Sequence, residues 1–295
     1  MSVHTAKWSP SSWREFPIQQ LPDYPNKEEL ESVYNELQTL PPLVTSWEIE
    51  SLKDKLAAVS AGKAFLFQAG DCAESFDLTQ SSKIVNLVKV LLQTSFIMIH
   101  EMGVPVVRVG RMAGQYAKPR SSAFETVDGV QMHNYRGDLI NGFEKNQAKR
   151  VPDPKRLLEG YHKAGLTLNF IRALGDEGFA DLHYPEQWEL DFMRNNPYHQ
   201  EYESMVKSIT QAVKFMDAVS ERRLQQSQKV DFYTSHEALN LFYDSAQTRK
   251  VPRKEGYFNL SAHMVWLGNR TRDLNEAHVE YLRGIENPIG IKIGP

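Results

Sequence analysis

Apolar positions along this chain recur in two patterns, one short and dense, one long and periodic. Val104-Pro-Val-Val-Arg-Val109 is a β-branched run that reads as a buried strand, and Ala64-Phe-Leu-Phe-Gln-Ala-Gly70 reads as an earlier one. Between them, about Ser81 to Met102 predicts a long helix, with Gly103 as its C-terminal stop. Strand–helix–strand order predicts a right-handed crossover and parallel pairing. The alternation resumes downstream. Val230 to Ser235 predicts a strand that delivers His236-Glu237, followed by a helix to about Ala246. Tyr257 to Trp266 predicts a strand leading into Leu267-Gly-Asn-Arg-Thr-Arg272, and a helix carries Asn275 to Arg283. Pro288-Ile-Gly-Ile-Lys-Ile-Gly-Pro295 predicts a last buried strand.

Other stretches break this rhythm. Residues 1–25 are rich in Trp and Pro and predict an extended arm laid on another surface, its own or a partner's. Helices are expected from about Glu28 to Leu40, ended by Pro41-Pro42, and from Thr45, where Glu48 completes a capping box, to near Gly62. The segment of about 122–228 reads as an insertion. His133 to Gly142 looks like loop, helices are expected from Asp153-Pro154 to near Gly175 and from Tyr198 to Gln226, and Ala180 to His183 offers the one strand-like run. The expected organisation is therefore an arm with helices over 1–62 and a sheet unit over 63–295. About five strand–loop–helix units fit a (β/α)₈ TIM barrel, which needs eight strands. The chain stops on an apolar strand, a poor edge for a stable domain, so a barrel truncated after about five strands is expected.

Composition narrows the function. The 295 residues are 41% hydrophobic and 24% charged, with a formal net charge of -3. That balance argues against general nucleic-acid binding. No apolar run reaches the roughly 18 residues that suggest a membrane span. Ile84 to Met102 comes closest, but Lys89 interrupts it, and it reads as a largely buried helix. The N-terminus has no apolar signal core. One cysteine cannot form an internal disulfide, which fits a reducing cytoplasm.

Arg108, Arg111, Lys118 and Arg120 lie in or just after the 104–109 strand, and no acid stands between Glu101 and Glu125. Cations where a strand empties into a loop suit phosphate, although a solvated basic loop is the commoner meaning of a charge run. Each strand delivers one chemically useful group at or near its end: Cys72, Arg111, Glu237, Asn269-Arg270 and Lys292. Singly, each has an ordinary structural meaning. Together they place several cations and one soft metal ligand at the same end of one sheet. Cys72 could ligate a metal beside Asp71 and Glu74, act as a nucleophile with His236 or His263, or be an inert small hydrophobe.

Six stretches resemble the class II 3-deoxy-D-arabino-heptulosonate 7-phosphate (DAHP) synthases: Gln68 to Glu74, Arg111 to Ser121, Tyr135 to Gly142, Ser235 to Leu239, Ser261 to Arg272 and Ile289 to Pro295. They span nearly the whole chain in the family's order. The resemblance implies a TIM barrel that condenses phosphoenolpyruvate with erythrose 4-phosphate, feeding the shikimate pathway or its phenazine branch. It implies that Cys72 is one ligand of a divalent metal such as Mn²⁺ or Co²⁺. Arg111, Arg270 and Lys292 would hold phosphoenolpyruvate, with Asn269 beside its phosphate, and Trp266 would wall the pocket. Lys118, Arg120 and Ser121 would hold erythrose 4-phosphate, and Glu237 would orient the attacking water. The full-length form would be a homo-oligomer, with no nucleic-acid or membrane partner. Asn269 departs from the Glu of many members. The family's last three strands supply another phosphate-binding Arg and the remaining metal ligands, so this chain alone is expected to bind metal weakly and to be inactive. Two other readings stand beside this one: a Schiff-base aldolase using Lys292, and a non-catalytic binding or assembly module.

Overall fold

The computed structural model describes residues 7–176, 195–220 and 231–293. The strand-like run at 180–183 and the far end of the helix expected to reach Gln226 lie outside them.

Helix α1 (Lys27–Thr39) starts at Asn26, whose side chain accepts the Glu29 N–H, and buries Leu30, Val33, Tyr34 and Leu37. Helix α2 (Ser46–Ser60) has the full capping box between Thr45 and Glu48. Strand β1 (Phe65–Gly70) leads to α3 (Ser81–Met102), which ends where Gly103 turns left-handed at φ 66°. Strand β2 (Val106–Arg111) runs two residues past the expected end and so carries Arg111 within it. A hairpin follows, β3 (Phe124–Val127) with β4 (Val130–His133), then the short α4 (Gln147–Arg150) and the long α5 (Lys155–Asp176) and α6 (His199–Ser220). Strand β5 (Tyr233–Glu237), helix α7 (Leu241–Ala246), the two-residue strands β6 (Thr248–Arg249) and β7 (Phe258–Asn259), strand β8 (Met264–Leu267), helix α8 (Ala277–Leu282) and strand β9 (Ile289–Ile291) complete the order.

Five strands form one curled parallel sheet in the order β1-β2-β5-β8-β9, so sheet order follows chain order. Phe65 pairs with Val106 and Gly70 with Arg111, while β2 and β5 share only Val109↔Tyr233 and Gly110↔Thr234. Strand β8 joins β5 through Ser235↔Met264 to Glu237↔Trp266, and β9 joins β8 through Val265↔Ile289 to Leu267↔Ile291. All strands point the same way, so their C-terminal ends lie along one rim. This is the geometry of a half-barrel, with α3, α7 and α8 as crossovers.

Several expectations are corrected. The inserted segment, in which only 180–183 reads as strand-like, carries a hairpin: β3 and β4 pair antiparallel across Asp128-Gly129, with φ 52° and 79°, the left-handed pair of a type I′ turn. Tyr257 to Trp266 is not one strand, because the chain turns between β7 and β8, where the Leu260 carbonyl accepts N–H bonds from Leu43 and Val44. The last strand, expected to be buried, is open, with Ile291 64% exposed. Helix α3 buries one face, Ile84, Val88, Leu91, Leu92 and Phe96, and leaves Val90, Ile97 and Met102 exposed. It is long and apolar enough to cross a bilayer by length and composition, and is the one such helix among the described residues.

The main core joins α1 to α5: Leu30, Tyr34 and Leu37 pack with Leu157, Tyr161, Ala164 and Leu168. The N-terminal arm lies on the protein's own surface. Trp13 is buried beside Leu241, Val265 and Tyr281, and the Trp8 indole N–H donates to the Glu280 carbonyl at 2.9 Å.

Candidate functional site

Parallel strands expose their last residues along the rim, and four strand ends meet around one indole. Trp266, near the end of β8, is 4% exposed. The Arg111 guanidinium, from the end of β2, lies 4.8 Å from its ring centroid. The Lys292 ammonium, just after β9, lies 5.6 Å from the same centroid. Lys292 Nζ is 3.8 Å from Oε2 of Glu237, the last residue of β5. After β8, Arg270 Nη2 donates to Ser121 Oγ at 2.9 Å and so reaches across to the loop that follows β2. From β1, the Cys72 carbonyl accepts a 3.3 Å hydrogen bond from Arg111.

Glu237 is 5% exposed. Burial pushes its carboxyl above the ordinary carboxylate range, and Lys292, a hydrogen bond from the Trp266 indole, Arg111 and Arg270 pull it partly back. It does not cap the following helix, since the Asn240 side chain does that. Gly268 makes room for it: a Cβ there would sit 1.9 Å from Glu237 Oε1. Arg111 Nε is buried without a hydrogen-bond partner, while the Trp266 indole and the Glu237 carboxylate serve each other. A buried donor left without an acceptor is uncommon in a folded protein.

Not every expected residue joins this cluster. Arg108 points back toward α3, with Nε 2.5 Å from Ser95 Oγ and its guanidinium over the Phe96 ring, and burial brings it down to about 10. It is removed from the mouth by strand alternation. Lys118 is half-buried, with its backbone N–H on the Arg136 carbonyl. Arg120 turns its Nε to the Tyr135 carbonyl at 2.6 Å, while its backbone N–H donates to Gln20 Oε1 from the arm. Asn269 is exposed and borders an open depression with Gln19, Arg270 and Arg272.

Cys72 is an exposed free thiol. Neither histidine considered as its partner is near it in function. His236 Nε2 is bonded to Asp244 at 2.8 Å, and His263 precedes β8 at the opposite end of the sheet, where its Nδ1 accepts the Thr234 N–H. Glu74 is also turned away from the thiol. Its buried carboxylate accepts the N–H groups of Ala113, Gly114 and Gln115 at 2.9, 3.0 and 2.7 Å. Burial pushes it up to about 7 against those three donors. Among the described residues no group of three His, Cys, Asp or Glu side chains could hold a metal ion. The residues present therefore do not fit a complete divalent site.

The sequence gives no sign of the roles of Gln115 and Gly268, and it offers Glu74 only as a metal partner of Cys72, whereas its carboxylate holds the loop after β2. One signal was available: a loop with no acid of its own must find acceptors elsewhere, and Glu74 stands in the neighbouring strand exit.

A curled parallel α/β half-barrel sheet with cations and a buried carboxylate at its C-terminal rim defines an α/β protein of barrel-like curvature with a cation-lined mouth. Residues 8–295 match the class-II DAHP synthetase family, and the chain belongs to it. It is 47% identical over 293 residues to the phospho-2-dehydro-3-deoxyheptonate aldolase of Streptomyces coelicolor, covering 98% of this chain and 65% of that one. It is 45% identical over 302 residues to the protein of the same name from Neurospora crassa, covering 98% of this chain and 62% of the relative. The chain thus spans less than two thirds of the length of these relatives.

Proposed function

We propose that this chain carries part of the active site of a metal-dependent DAHP synthase, built on a (β/α)₈ barrel with 1–62 as arm and helices and about 122–228 as an inserted segment. The reaction joins C3 of phosphoenolpyruvate to the aldehyde carbon of erythrose 4-phosphate. Water adds at C2 and inorganic phosphate leaves. Both substrates are anions, so the site must offset their mutual repulsion with fixed positive charge before anything can react. Arg111, Arg270 and Lys292 supply it for phosphoenolpyruvate, with Asn269 beside the phosphate and Trp266 as the wall. Lys118 and Arg120 supply it for the sugar phosphate, with the Ser121 hydroxyl as a neutral donor beside them. Glu237 orients the water and takes up its proton, a task suited to a carboxyl raised by burial. A divalent ion would polarise the aldehyde. Cys72 is the single donor that we assign to it, and no step above depends on it. The pathway setting is the supply of aromatic or phenazine precursors in a reducing cytoplasm, by a homo-oligomer.

The observation that carries this reading is the convergence of Arg111, Lys292 and the buried Glu237 carboxylate on Trp266 at the meeting of four strand ends. Calorimetric titration with phosphoenolpyruvate tests it. Saturable binding that is lost in Arg111→Ala and Lys292→Ala is the expected result. A borohydride-stable adduct on Lys292 in the presence of substrate would move the assignment to a Schiff-base aldolase. A folded chain that assembles in solution yet ignores phosphoenolpyruvate would make it a binding or assembly module.

A further inference from the structure

Gln115 has no place in the reading above, yet it ties three strand exits together. It is 2% exposed and lies in the loop after β2. Its backbone N–H donates to Glu74 Oε1 at 2.7 Å, and its carbonyl accepts the Glu74 N–H at 2.7 Å, which fixes it to the β1 exit. Its side-chain Oε1 accepts the N–H of Glu237, on β5, at 2.8 Å. Its Nε2 donates to the Ala117 carbonyl at 3.1 Å.

The position of that amide explains its residue type. The β2–β5 ladder stops at Gly110↔Thr234, so the N–H of Glu237 has no backbone acceptor on that side. The Gln115 amide oxygen stands in as the missing rung. An amide can accept from Glu237 and donate to Ala117 at once; a carboxylate cannot donate, and a thioether does neither well. The backbone beneath is held rigid. Ala113 is fixed at φ 60° under the Glu74 carboxylate, and Gly114 fits so closely on His236 that a Cβ would lie 2.7 Å from its Nδ1. A buried amide locked at both ends, on a locked loop, transmits its own position to Glu237.

We propose that Gln115 is a positioning residue that seats the Glu237 carboxylate between Lys292 and Trp266. This rests on the role given to Glu237 above and deepens it. The charged groups facing that carboxylate are Arg111 from β2, Arg270 after β8 and Lys292 after β9, while His236 on the same strand turns to Asp244.

The test follows the Glu237 carboxyl resonance across pH in ¹³C-glutamate-labelled protein, assigned by its loss in Glu237→Gln. Gln115→Met removes the rung, lets the carboxylate leave its place beside Lys292 and Trp266, and moves its midpoint by about one pH unit. Gln115→Asn keeps the amide but is one methylene too short, and serves if the Met variant does not fold. An unchanged midpoint in a folded variant overturns the proposal. A wild-type chain that fails to bind phosphoenolpyruvate would sink the functional reading while leaving this midpoint measurement intact.

Discussion

Arg111 shows how much one residue's neighbours decide. Its guanidinium lies over an indole, one of its nitrogens holds the Cys72 carbonyl, and its Nε remains open in a buried setting. Lysine keeps the charge but not the flat fork. We predict that Arg111→Lys weakens phosphoenolpyruvate binding about 10- to 100-fold, or roughly 1.5–3 kcal/mol, by calorimetry. His263 makes the second prediction at this scale. Burial holds it below the usual histidine range. Its neighbour Glu48 would be raised by burial, but His263, the Thr45 N–H and Arg172 outweigh that and hold it well below the usual carboxylate range. A buried neutral histidine contributes stability above its unfolded value near 6.5, and that stability is lost as pH falls below it. Urea unfolding should show lower stability at pH 5.5 than at pH 7.5, and a smaller drop in His263→Gln. The charged rim residues were legible in the sequence because charge next to an apolar run is conspicuous. Gln115 was not, since an uncharged side chain in a loop gives no sign that it completes a strand ladder.

At the scale of elements, the helices were legible because their ends carry local chemistry. Thr45 and Glu48 satisfy each other's backbone, and Gly103 adopts the conformation that other residues avoid. Thr45→Ala should cost about 1 kcal/mol in denaturant unfolding, with no change in ligand affinity. The β3–β4 hairpin was overlooked although Thr126-Val-Asp-Gly-Val130 is a two-residue turn between β-branched flanks. The division between β7 and β8 could not be read locally, because it depends on Leu260 accepting bonds from Leu43 and Val44, over 200 residues earlier in the chain. Tertiary bonds of that separation leave no periodic trace.

For the molecule as a whole, the parallel sheet has two outer strands, β1 and β9, and both are apolar and open. Phe65 is 43%, Ile291 64% and Ile293 88% exposed. Such edges offer backbone donors and acceptors to another strand. We predict concentration-dependent association by light scattering, reduced by Ile291→Lys, which places a charge on the β9 edge. Trp266 sits with a cation on either hand, so any anion that draws Arg111 or Lys292 away alters the electric field its excited state experiences. The protein therefore has an internal optical gauge of occupancy: a shift in emission on adding an anionic ester, absent in Trp266→Phe, would report loading of the site without a label.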